Sequence, residues 1–342
     1  MDGQVPCLER CSSVLLCGMI GDALGAPVEG WPASMIRKVY GKVDKYYEGV
    51  PLGVLDSRRA MYTDDTNCAL SLAASIVRMN GKIDVDDCAK AHVEFWKHTP
   101  KRGCPDSAEA IIKALDSGAD PRNTGTIAFP DGSFANGGAM KIGPVGVICR
   151  DVDDETLYSS VTSAILATHV HPEAIDGAYI IAKAVVYLLR TSVESFDPSK
   201  FLHELEDSCR TAEMKKRISL LRKHINRGTF DSVFCGLGGL KTNPGKESYG
   251  EMSFQIKAVV AVACALWAFA GSWKNPLDCL VNAISWGGDT DTIATMVGYL
   301  VGALHGSEWI PPHLFNELEN GEFGRDYCIQ LSLQLSALSL QQ

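Results

Sequence analysis

The stretch SWGGDTDTIATMVGYLVGALHG, residues 285–306, joins a polar segment to an apolar helix. Apolar side chains recur at helical spacing from Ile293 to Leu304, and Gly306 ends the pattern. Two glycines, two aspartates and two threonines stand directly before this stripe, at residues 287–292, which places them at a helix N-terminus. The stretch therefore predicts a buried helix that presents carboxylates and hydroxyls at its first turn.

A second segment, YTDDT at residues 62–66, repeats this arrangement far away in the chain. An apolar stripe from Ala69 to Val77 follows it and ends at Asn80-Gly81. For either segment alone, helix capping by Thr and Asp is a sufficient explanation. Capping needs one acceptor oxygen, however, and four carboxylates brought together would repel one another without a cation. Because the donors are all oxygen, the two segments together predict a site for a pair of hard ions, Mg²⁺ or Mn²⁺.

The rest of the chain is also dominated by helical periodicity. Further apolar stripes run from Ile111 to Leu115, from Ala174 to Leu189 after Pro172, and from Leu266 to Phe269 before Gly271. No series of alternating strands joined by hairpin turns is present, although Val39–Tyr47 has the pattern of one short strand. The sequence predicts an all-α protein with a single domain over residues 1–342, a compact orthogonal helix bundle around a central binuclear metal cleft.

Composition narrows the possible partners and compartment. The chain has 342 residues, 46% of them hydrophobic, and a formal net charge of −9, which argues against a general nucleic-acid-binding surface. The apolar run 258–270 is shorter than the ~20 residues of a membrane span, and the acidic N-terminus is unlike a secretory signal. Twelve cysteines form no CxxC pair and predict small buried side chains in a reducing compartment. We expect a cytoplasmic protein, with nucleus and mitochondrion as open alternatives.

Two further segments have roles that the sequence predicts. Residues 210–227 are strongly basic and predict a solvated helix face, with a phosphate-rich ligand as the alternative. Residues 235–250 are rich in glycine and predict a loop.

Three further motifs carry candidate site residues. In GDALGAPVE, residues 21–29, Pro27 ends a helix and Glu29 follows on a loop, where its carboxylate could close over a metal site or orient water. In GSFANGGAM, residues 132–140, small residues expose backbone N–H groups before a helix predicted from Ala139, as in an anion site. Phe129 or Phe134 could stack on a base, or belong to the core.

The third motif is ATHVHPEA, residues 167–174, which precedes a helix. His169 could donate a hydrogen bond to a ligand hydroxyl or phosphate, or serve as a structural histidine. Neither histidine of this motif is needed as a ligand of the predicted ions.

Taken in order, these five motifs resemble those of the ADP-ribosylglycohydrolase family, which includes the glycohydrolase that reactivates dinitrogenase reductase and the animal ADP-ribosyl-acceptor hydrolases. The resemblance spans nearly the whole chain. It implies an all-α enzyme with two Mg²⁺, for which Mn²⁺ can substitute, that cleaves the bond between C1″ of the distal ribose and an acceptor. The implied partner is an ADP-ribosylated protein or a small molecule containing ADP-ribose, with no direct nucleic acid, no membrane and a monomeric state.

The resemblance also assigns roles residue by residue. Glu29 matches the glutamate that gates the site and helps to activate water, and Asp65 and Asp291 would share the catalytic role. The implied metal ligands are Thr63, Asp64, Asp65, Asp289, Asp291 and Thr292. The implied substrate-binding residues are Asp64, Ser133, Phe134, Asn136, Gly137, Gly138 and His169.

Several functional alternatives stay open at the level of sequence. The segment GGDTDTIATM is most similar to the animal branch that acts on serine-linked ADP-ribose and its polymers, whereas HVHPEA is closer to the bacterial members, where arginine-linked substrates occur. O-acetyl-ADP-ribose is a further possible substrate. The family also holds jellyfish lens crystallins and a fish selenoprotein, so a catalytically silent, ADP-ribose-binding or structural member is another reading. A third reading of the sequence is an unrelated Mg²⁺ phosphohydrolase.

Overall fold

The computed structural model describes residues 8–48, 59–99, 102–225, 233, 237 and 255–341. Within these ranges the chain forms sixteen α-helices, and its only β-type pairing is three isolated bridges, so the all-α prediction is confirmed. The helices are α1 (Leu8–Gly25), α2 (Ala33–Val39), α3 (Asp64–Arg78), α4 (Val85–His98), α5 (Asp106–Asp116), α6 (Pro121–Thr124), α7 (Gly143–Ile148), α8 (Asp154–Ile165), α9 (Pro172–Leu189), α10 (Pro198–Ser208), α11 (Ala212–His224), α12 (Ala258–Ser272), α13 (Pro276–Ser285), α14 (Thr290–His305), α15 (Pro312–Glu317) and α16 (Arg325–Ser336).

The central feature of the fold is the antiparallel packing of α1 against α14. Glycines on α1 allow the two backbones to touch: a Cβ at Gly21 would lie 2.6 Å from the carbonyl carbon of Ala294, and one at Gly25 would lie 2.6 Å from the Cα of Asp291. The reverse contact occurs at Gly302, where a Cβ would lie 2.7 Å from the carbonyl oxygen of Ser13. The C-terminal end of α1 therefore meets the N-terminus of α14.

Two long apolar helices complete the core around this pair. α12 is buried from Ala258 to Ala270 and packs against α9, α13 and α14. A helix that is apolar all round is typical of a protein interior. α9 begins at Pro172, as the sequence predicts, and its side chains from Gly177 to Val186 are buried.

The segment Leu8–Val28 has the length and hydropathy of a membrane-crossing helix. In the structure, 94% of its most apolar window is buried, and its partners are α14, α16 and α3. The sequence predicted a helix ending at Pro27 in this segment but not its full length, because Asp22 and three glycines interrupt its apolar pattern.

The structure corrects three predicted boundaries. Val39–Tyr47 is not a strand: Val39 ends α2, and Gly41 adopts a positive φ of 69° that breaks extended backbone. The helix predicted from Ala139 begins at Gly143, because a 3₁₀ turn over Asn136–Gly138 comes first. α12 continues through Gly271.

Two other predictions concern the surface. The basic segment forms α11, which buries Met214 and Leu221 and exposes Lys215 and Lys216, as expected of a solvated face. The loop predicted over residues 235–250 lies outside the described residues, apart from Leu237.

Candidate active site

A cavity of about 400 Å³ opens where the N-termini of α3 and α14 converge. Its described lining includes nearly all the predicted site residues: Glu29, Thr63, Asp64, Asp65, Ser133, Phe134, Asn136, Gly137, His169, Asp289, Asp291 and Thr292. Gly138 lies beside them on the turn that carries Asn136 and Gly137. The two acidic segments, more than 200 residues apart in sequence, therefore share one site.

The N-terminus of α3 is held in place by Asp22, a fully buried residue of α1. The Asp22 carboxylate accepts hydrogen bonds from the backbone N–H groups of Thr63 and Thr66, at 2.9 and 3.0 Å, and from the Thr66 hydroxyl at 2.6 Å. Thr63 is the N-cap of α3, and its hydroxyl accepts from the Asp65 N–H. Because α1 also contacts α14, Asp22 fixes the position of one acidic segment relative to the other.

Arg102 supports the same helix start from the opposite side. Its guanidinium donates to the Tyr62 carbonyl at 2.9 Å and pairs with both carboxylate oxygens of Glu319 at 2.7 Å. Its own carbonyl accepts from the Asp64 N–H at 2.7 Å. The ion pair is largely buried, with 9% of the Arg102 and 17% of the Glu319 side chain exposed, so loss of either partner would leave an uncompensated charge.

The loop that carries Glu29 is tied to the start of α14 by backbone hydrogen bonds. Gly30 donates to the Gly288 carbonyl at 2.8 Å, and the Thr290 hydroxyl donates to the Gly25 carbonyl at 2.8 Å. Carboxylate oxygens of Glu29, Asp289 and Asp291 consequently lie within 4.8 Å of one another. Three carboxylates at this spacing form a donor set that a divalent cation can bridge.

Helix capping does not explain the second segment. Asp289 occupies the N-cap position of α14, but its side chain makes no capping hydrogen bond. One carboxylate oxygen instead accepts from the Asn136 side-chain amide at 2.6 Å, and the Asp289 N–H donates to the Gln255 side chain at 2.8 Å. Asn136 also donates to the Gln255 carbonyl at 3.0 Å. This network orients Asp289 toward the cavity and joins it to the turn over Asn136–Gly138.

The carboxyls of the site are strongly perturbed. Burial raises the pKa of Asp22 to about 6, against hydrogen bonds from Thr66 and Thr63 that lower it. Burial and the charge of Asp22 raise the pKa of Asp64 to about 7, and the same two causes raise that of Asp65. Burial and Glu29 raise the pKa of Asp291. So many carboxyls with raised pKa values in one cavity indicate a place for a positive charge.

We expect the metal-free protein to lose thermal stability between about pH 5 and about pH 8. Unfolded aspartates are already deprotonated there, whereas folded Asp22 and Asp64 retain protons up to a pKa of about 6 and about 7. The folded state therefore binds more protons, so rising pH favours unfolding. In EDTA the melting temperature should fall by roughly 5 °C across this window, and Mg²⁺ should remove most of the fall. Differential scanning calorimetry measures this change in melting temperature. A melting temperature that depends on neither pH nor Mg²⁺ would contradict the prediction.

Another part of the cavity wall consists of a glycine-rich turn, His169 and two aromatic side chains. The turn Asn136–Gly138 packs so closely on His169 that a Cβ at Gly137 would lie 3.0 Å from its ring. Phe129 and Phe134, expected either to stack on a base or to lie in the core, line the cavity and are 48% and 43% exposed. Core placement is therefore wrong for both, and their rings are available to a ligand.

Some residues that build the site were given no role from sequence. Asp22 could have been found, because a lone acid inside an apolar helix is costly unless it is used. Gln255, Arg102, Lys141 and Thr168 carry no comparable signal, since their partners are distant in sequence and become neighbours only through the fold.

Comparisons with known proteins identify the family of the chain. Residues 4–341 match the family model described as ADP-ribosylglycohydrolase. The chain is 28% identical to the Escherichia coli (strain K12) protein YegU over 91% of this chain and 92% of that protein. It is 26% identical to the ADP-ribosylhydrolase ARH3 of Gallus gallus over 89% and 87%, and 25% identical to that of Homo sapiens over 90% and 89%.

A solved structure shares the fold. It is titled ADP-ribosylglycohydrolase-related protein complex and superposes with a TM-score of 0.71 at 22% identity, covering 97% of this chain and 99% of that chain. The predicted resemblance is thus confirmed by a family match over almost the full length. The chain belongs to the ADP-ribosylglycohydrolase family and is a hydrolase of the glycosidase type.

Proposed function

We propose that this enzyme uses two Mg²⁺ ions to hydrolyse the bond between C1″ of the distal ribose and the side-chain oxygen of an ADP-ribosylated serine. The observation that carries the proposal is the convergence of Glu29, Asp289 and Asp291, within 4.8 Å, on the cavity that Asp64 and Asp65 also line. Polymeric ADP-ribose, whose linkage is also an O-glycoside, is included in the proposed substrate range.

The residues present fit a divalent ion. One carboxylate oxygen of Asp65 is buried without a hydrogen-bond partner among the described residues, while the other accepts from the Thr63 hydroxyl at 3.2 Å. The donors are carboxylates and hydroxyls, which suit Mg²⁺ or Mn²⁺ better than Zn²⁺. The ligands would be Thr63, Asp64, Asp65, Asp289, Asp291 and Thr292. Bound Mg²⁺ would supply positive charge that orients the distal ribose hydroxyls and polarises its anomeric region.

The protein's own groups account for the rest of the ligand. The segment Ser133–Gly138 is the position proposed for the diphosphate, and Phe134 and Phe129 offer exposed rings to the adenine. Asp64 would contact the distal ribose, beside the acidic cluster. His169 would donate to a ligand oxygen from the opposite wall.

In the proposed reaction the C1″–O bond to serine breaks as a water oxygen bonds to C1″, which passes through an oxocarbenium-like state. A carboxylate oxygen of Glu29, at the edge of the cluster, accepts the proton of that water. Asp291 and Asp65 hold the reacting groups in place. The leaving serine oxygen takes up the proton that Glu29 accepted from water, which returns Glu29 to its carboxylate form, so the products are ADP-ribose and unmodified serine.

The charges that line the cavity favour a neutral acceptor over arginine. In the described lining, Glu29, Asp64, Asp65, Asp289 and Asp291 are the carboxylates, and the four aspartates are proposed metal ligands. Lys141 is the lining residue with a cationic side chain. An arginine guanidinium would therefore meet a like charge, and the one acid of the described lining that is not a proposed ligand, Glu29, is already used as the base, so the desolvation of the guanidinium would be poorly compensated.

A substrate panel tests the proposal. Peptides with serine-linked and arginine-linked ADP-ribose, the polymer and O-acetyl-ADP-ribose are incubated with Mg²⁺, and released ADP-ribose is measured by mass spectrometry. We expect serine-linked turnover to exceed arginine-linked turnover by at least about a hundredfold, the discrimination that a poorly compensated buried charge produces.

Each other outcome of the panel has its own meaning. Faster arginine-linked turnover would identify an arginine-specific hydrolase and refute the serine assignment. Calorimetric binding of ADP-ribose without turnover of any substrate would identify a silent, binding or structural member. Release of inorganic phosphate would indicate a phosphohydrolase.

The proposal also covers the partner, the oligomeric state and the compartment of the enzyme. Its partner would be an ADP-ribosylated protein, and the chain would act as a monomer in the cytoplasm. The cysteines support a reducing compartment, since the ten in the described ranges are free thiols and eight of them are buried.

A further inference from the structure

Lys141 is a buried lysine without a salt bridge in the described ranges; burial lowers its pKa, and the charge of Asp64 raises it. The structure describes two buried lysines: Lys183, with 8% exposed, pairs with Asp154 at 2.6 Å and Glu204 at 3.3 Å. Lys141, with 6% exposed, has no such ion pair within the described ranges. Its ammonium group donates instead to the hydroxyl of Thr168 at 2.9 Å. A buried charge directed at a neutral hydroxyl, on the wall of a substrate cavity, calls for an explanation other than stability.

The Thr168 hydroxyl connects Lys141 to His169. Its oxygen lies 2.8 Å from His169 Nδ1 and 3.2 Å from the Ile165 carbonyl oxygen. The hydroxyl has one hydrogen to give, and the ammonium already occupies one of its lone pairs. Accepting a bond from a cation polarises the O–H group, so the hydroxyl becomes a better donor and a poorer acceptor. Because the Ile165 carbonyl already accepts from the backbone N–H groups of Thr168 and His169, at 2.9 and 2.8 Å, we assign the hydroxyl hydrogen to Nδ1.

The charge of Lys141 also favours a His169 ring whose Nδ1 carries no hydrogen. A ring with its Nδ1 lone pair toward the ammonium is attracted to it, whereas an Nδ1–H dipole in that place would be repelled. Burial and Lys141 together lower the pKa of His169 to about 3, which keeps the ring neutral at physiological pH. A neutral ring that accepts at Nδ1 must carry its proton on Nε2.

The Nε2 edge of the ring faces the nucleotide side of the cavity. A Cβ built on Gly137 would lie 3.1 Å from Nε2, so this nitrogen abuts the turn Asn136–Gly138. His169 and Gly137 both line the cavity. A donor at Nε2 therefore lies beside the turn, where an oxygen of the diphosphate or adjoining ribose is proposed to bind.

We propose that Lys141 and Thr168 are positioning residues that fix His169 as an Nε2–H donor toward ADP-ribose. This inference deepens the proposed function and depends on it for the identity of the ligand. The tautomer itself is a property of the protein alone. Lys141 and Thr168 act through His169 and need not touch the reacting atoms.

The tautomer is tested by NMR on the ligand-free full-length chain. Long-range ¹H–¹⁵N spectra with ¹⁵N-labelled histidine distinguish protonated from unprotonated ring nitrogens, and a His169→Gln variant identifies the signals of His169. We expect Nε2 to be protonated and Nδ1 bare in the wild type and in Thr168→Ser, which keeps the hydroxyl. In Thr168→Val the Nδ1 partner is gone, so the signals should shift toward the other tautomer or an average. A protonated Nδ1 in the wild type would overturn the proposal.

Binding supplies the second readout. Calorimetry with ADP-ribose and Mg²⁺ should show Kd raised about tenfold in Thr168→Val and Lys141→Met, as expected for a weakened hydrogen bond to an anionic ligand, and much less in Thr168→Ser and Lys141→Arg. Lys183→Met removes a buried lysine outside the cavity and should leave Kd and the His169 signals unchanged. Equal Kd values for Thr168→Val, Thr168→Ser and the wild type would also overturn the proposal.

These two readouts separate the possible failures. If the wild type does not bind ADP-ribose, the proposed function fails. The NMR result still decides whether Lys141 and Thr168 fix the tautomer of His169. If the wild type binds and the NMR shows the expected tautomer, but the variants bind equally well, His169 does not donate to ADP-ribose. Circular dichroism and melting temperatures of all variants establish that each is folded before either readout is interpreted.

Discussion

Replacing Asp291 by asparagine should lower kcat/KM for ADP-ribosylated serine peptide by at least about a thousandfold, because a metal site contributes several kcal/mol to the transition state. Asp291 has 3% of its surface exposed, and its carboxylate lies within 4.8 Å of those of Glu29 and Asp289. Asparagine keeps the shape of the side chain but removes the negative charge that a divalent ion needs. Excess EDTA should reduce wild-type turnover to a similar extent, and added Mg²⁺ should restore it.

Without bound metal, the Asp291→Asn variant should be at least as stable as the wild type. Burial and neighbouring carboxylates raise the pKa of Asp291, so its charged form is disfavoured in the folded protein. Removing that charge should raise the melting temperature in EDTA and abolish the stabilisation by Mg²⁺. Asp326→Asn is the control, because that aspartate is exposed on α16 and pairs with Arg325. Normal turnover by Asp291→Asn, or by the wild type in EDTA, would refute the metal-dependent mechanism.

Replacing Gly21 by alanine should lower the free energy of unfolding by about 3 kcal/mol, the upper part of the range for overpacking. A Cβ at this position would lie 2.6 Å from the carbonyl carbon of Ala294, and the obstacle is backbone, which cannot rotate away. Helices α1 and α14 must therefore separate. Asp22, the next residue, would move with α1 and displace the N-terminus of α3, so turnover should fall as well.

Gly271→Ala provides the matched comparison on α12. A Cβ there meets nothing within 4 Å, and its φ is not positive. Alanine has the higher helix propensity, so this variant should be neutral or slightly more stable. Urea unfolding followed by circular dichroism measures both variants. Equal free energies of unfolding for Gly21→Ala and the wild type would show that the α1–α14 contact does not require glycine.

Much of this architecture could be predicted from periodicity and motif order. The stripes after residues 62–66 and 287–292 are helices that begin where the sequence indicates, at Asp64 and Thr290. The acidic pattern also predicted that the two helix starts meet, because capping alone does not require so many carboxylates. In the structure Thr63 does cap α3, but Asp289 does not cap α14.

The remaining features depend on contacts that no local pattern encodes. The strand predicted over Val39–Tyr47 does not form. The backbone there is irregular, and the rings of Tyr40 and Tyr47 pack against each other with their centroids 4.0 Å apart. The helix expected from Ala139 starts four residues later, because Asn136 uses its backbone in a 3₁₀ turn and its side chain on Asp289. Gln255 acquires its role through an element distant in sequence.

A dinuclear metal centre would be visible in crystals of the protein grown with Mn²⁺ and ADP-ribose, from anomalous scattering recorded at the manganese absorption edge. We expect two anomalous peaks between residues 63–65 and residues 289–292, both adjoining the distal ribose. An absence of peaks there, with ADP-ribose bound in the same cavity, would contradict the proposed metal centre.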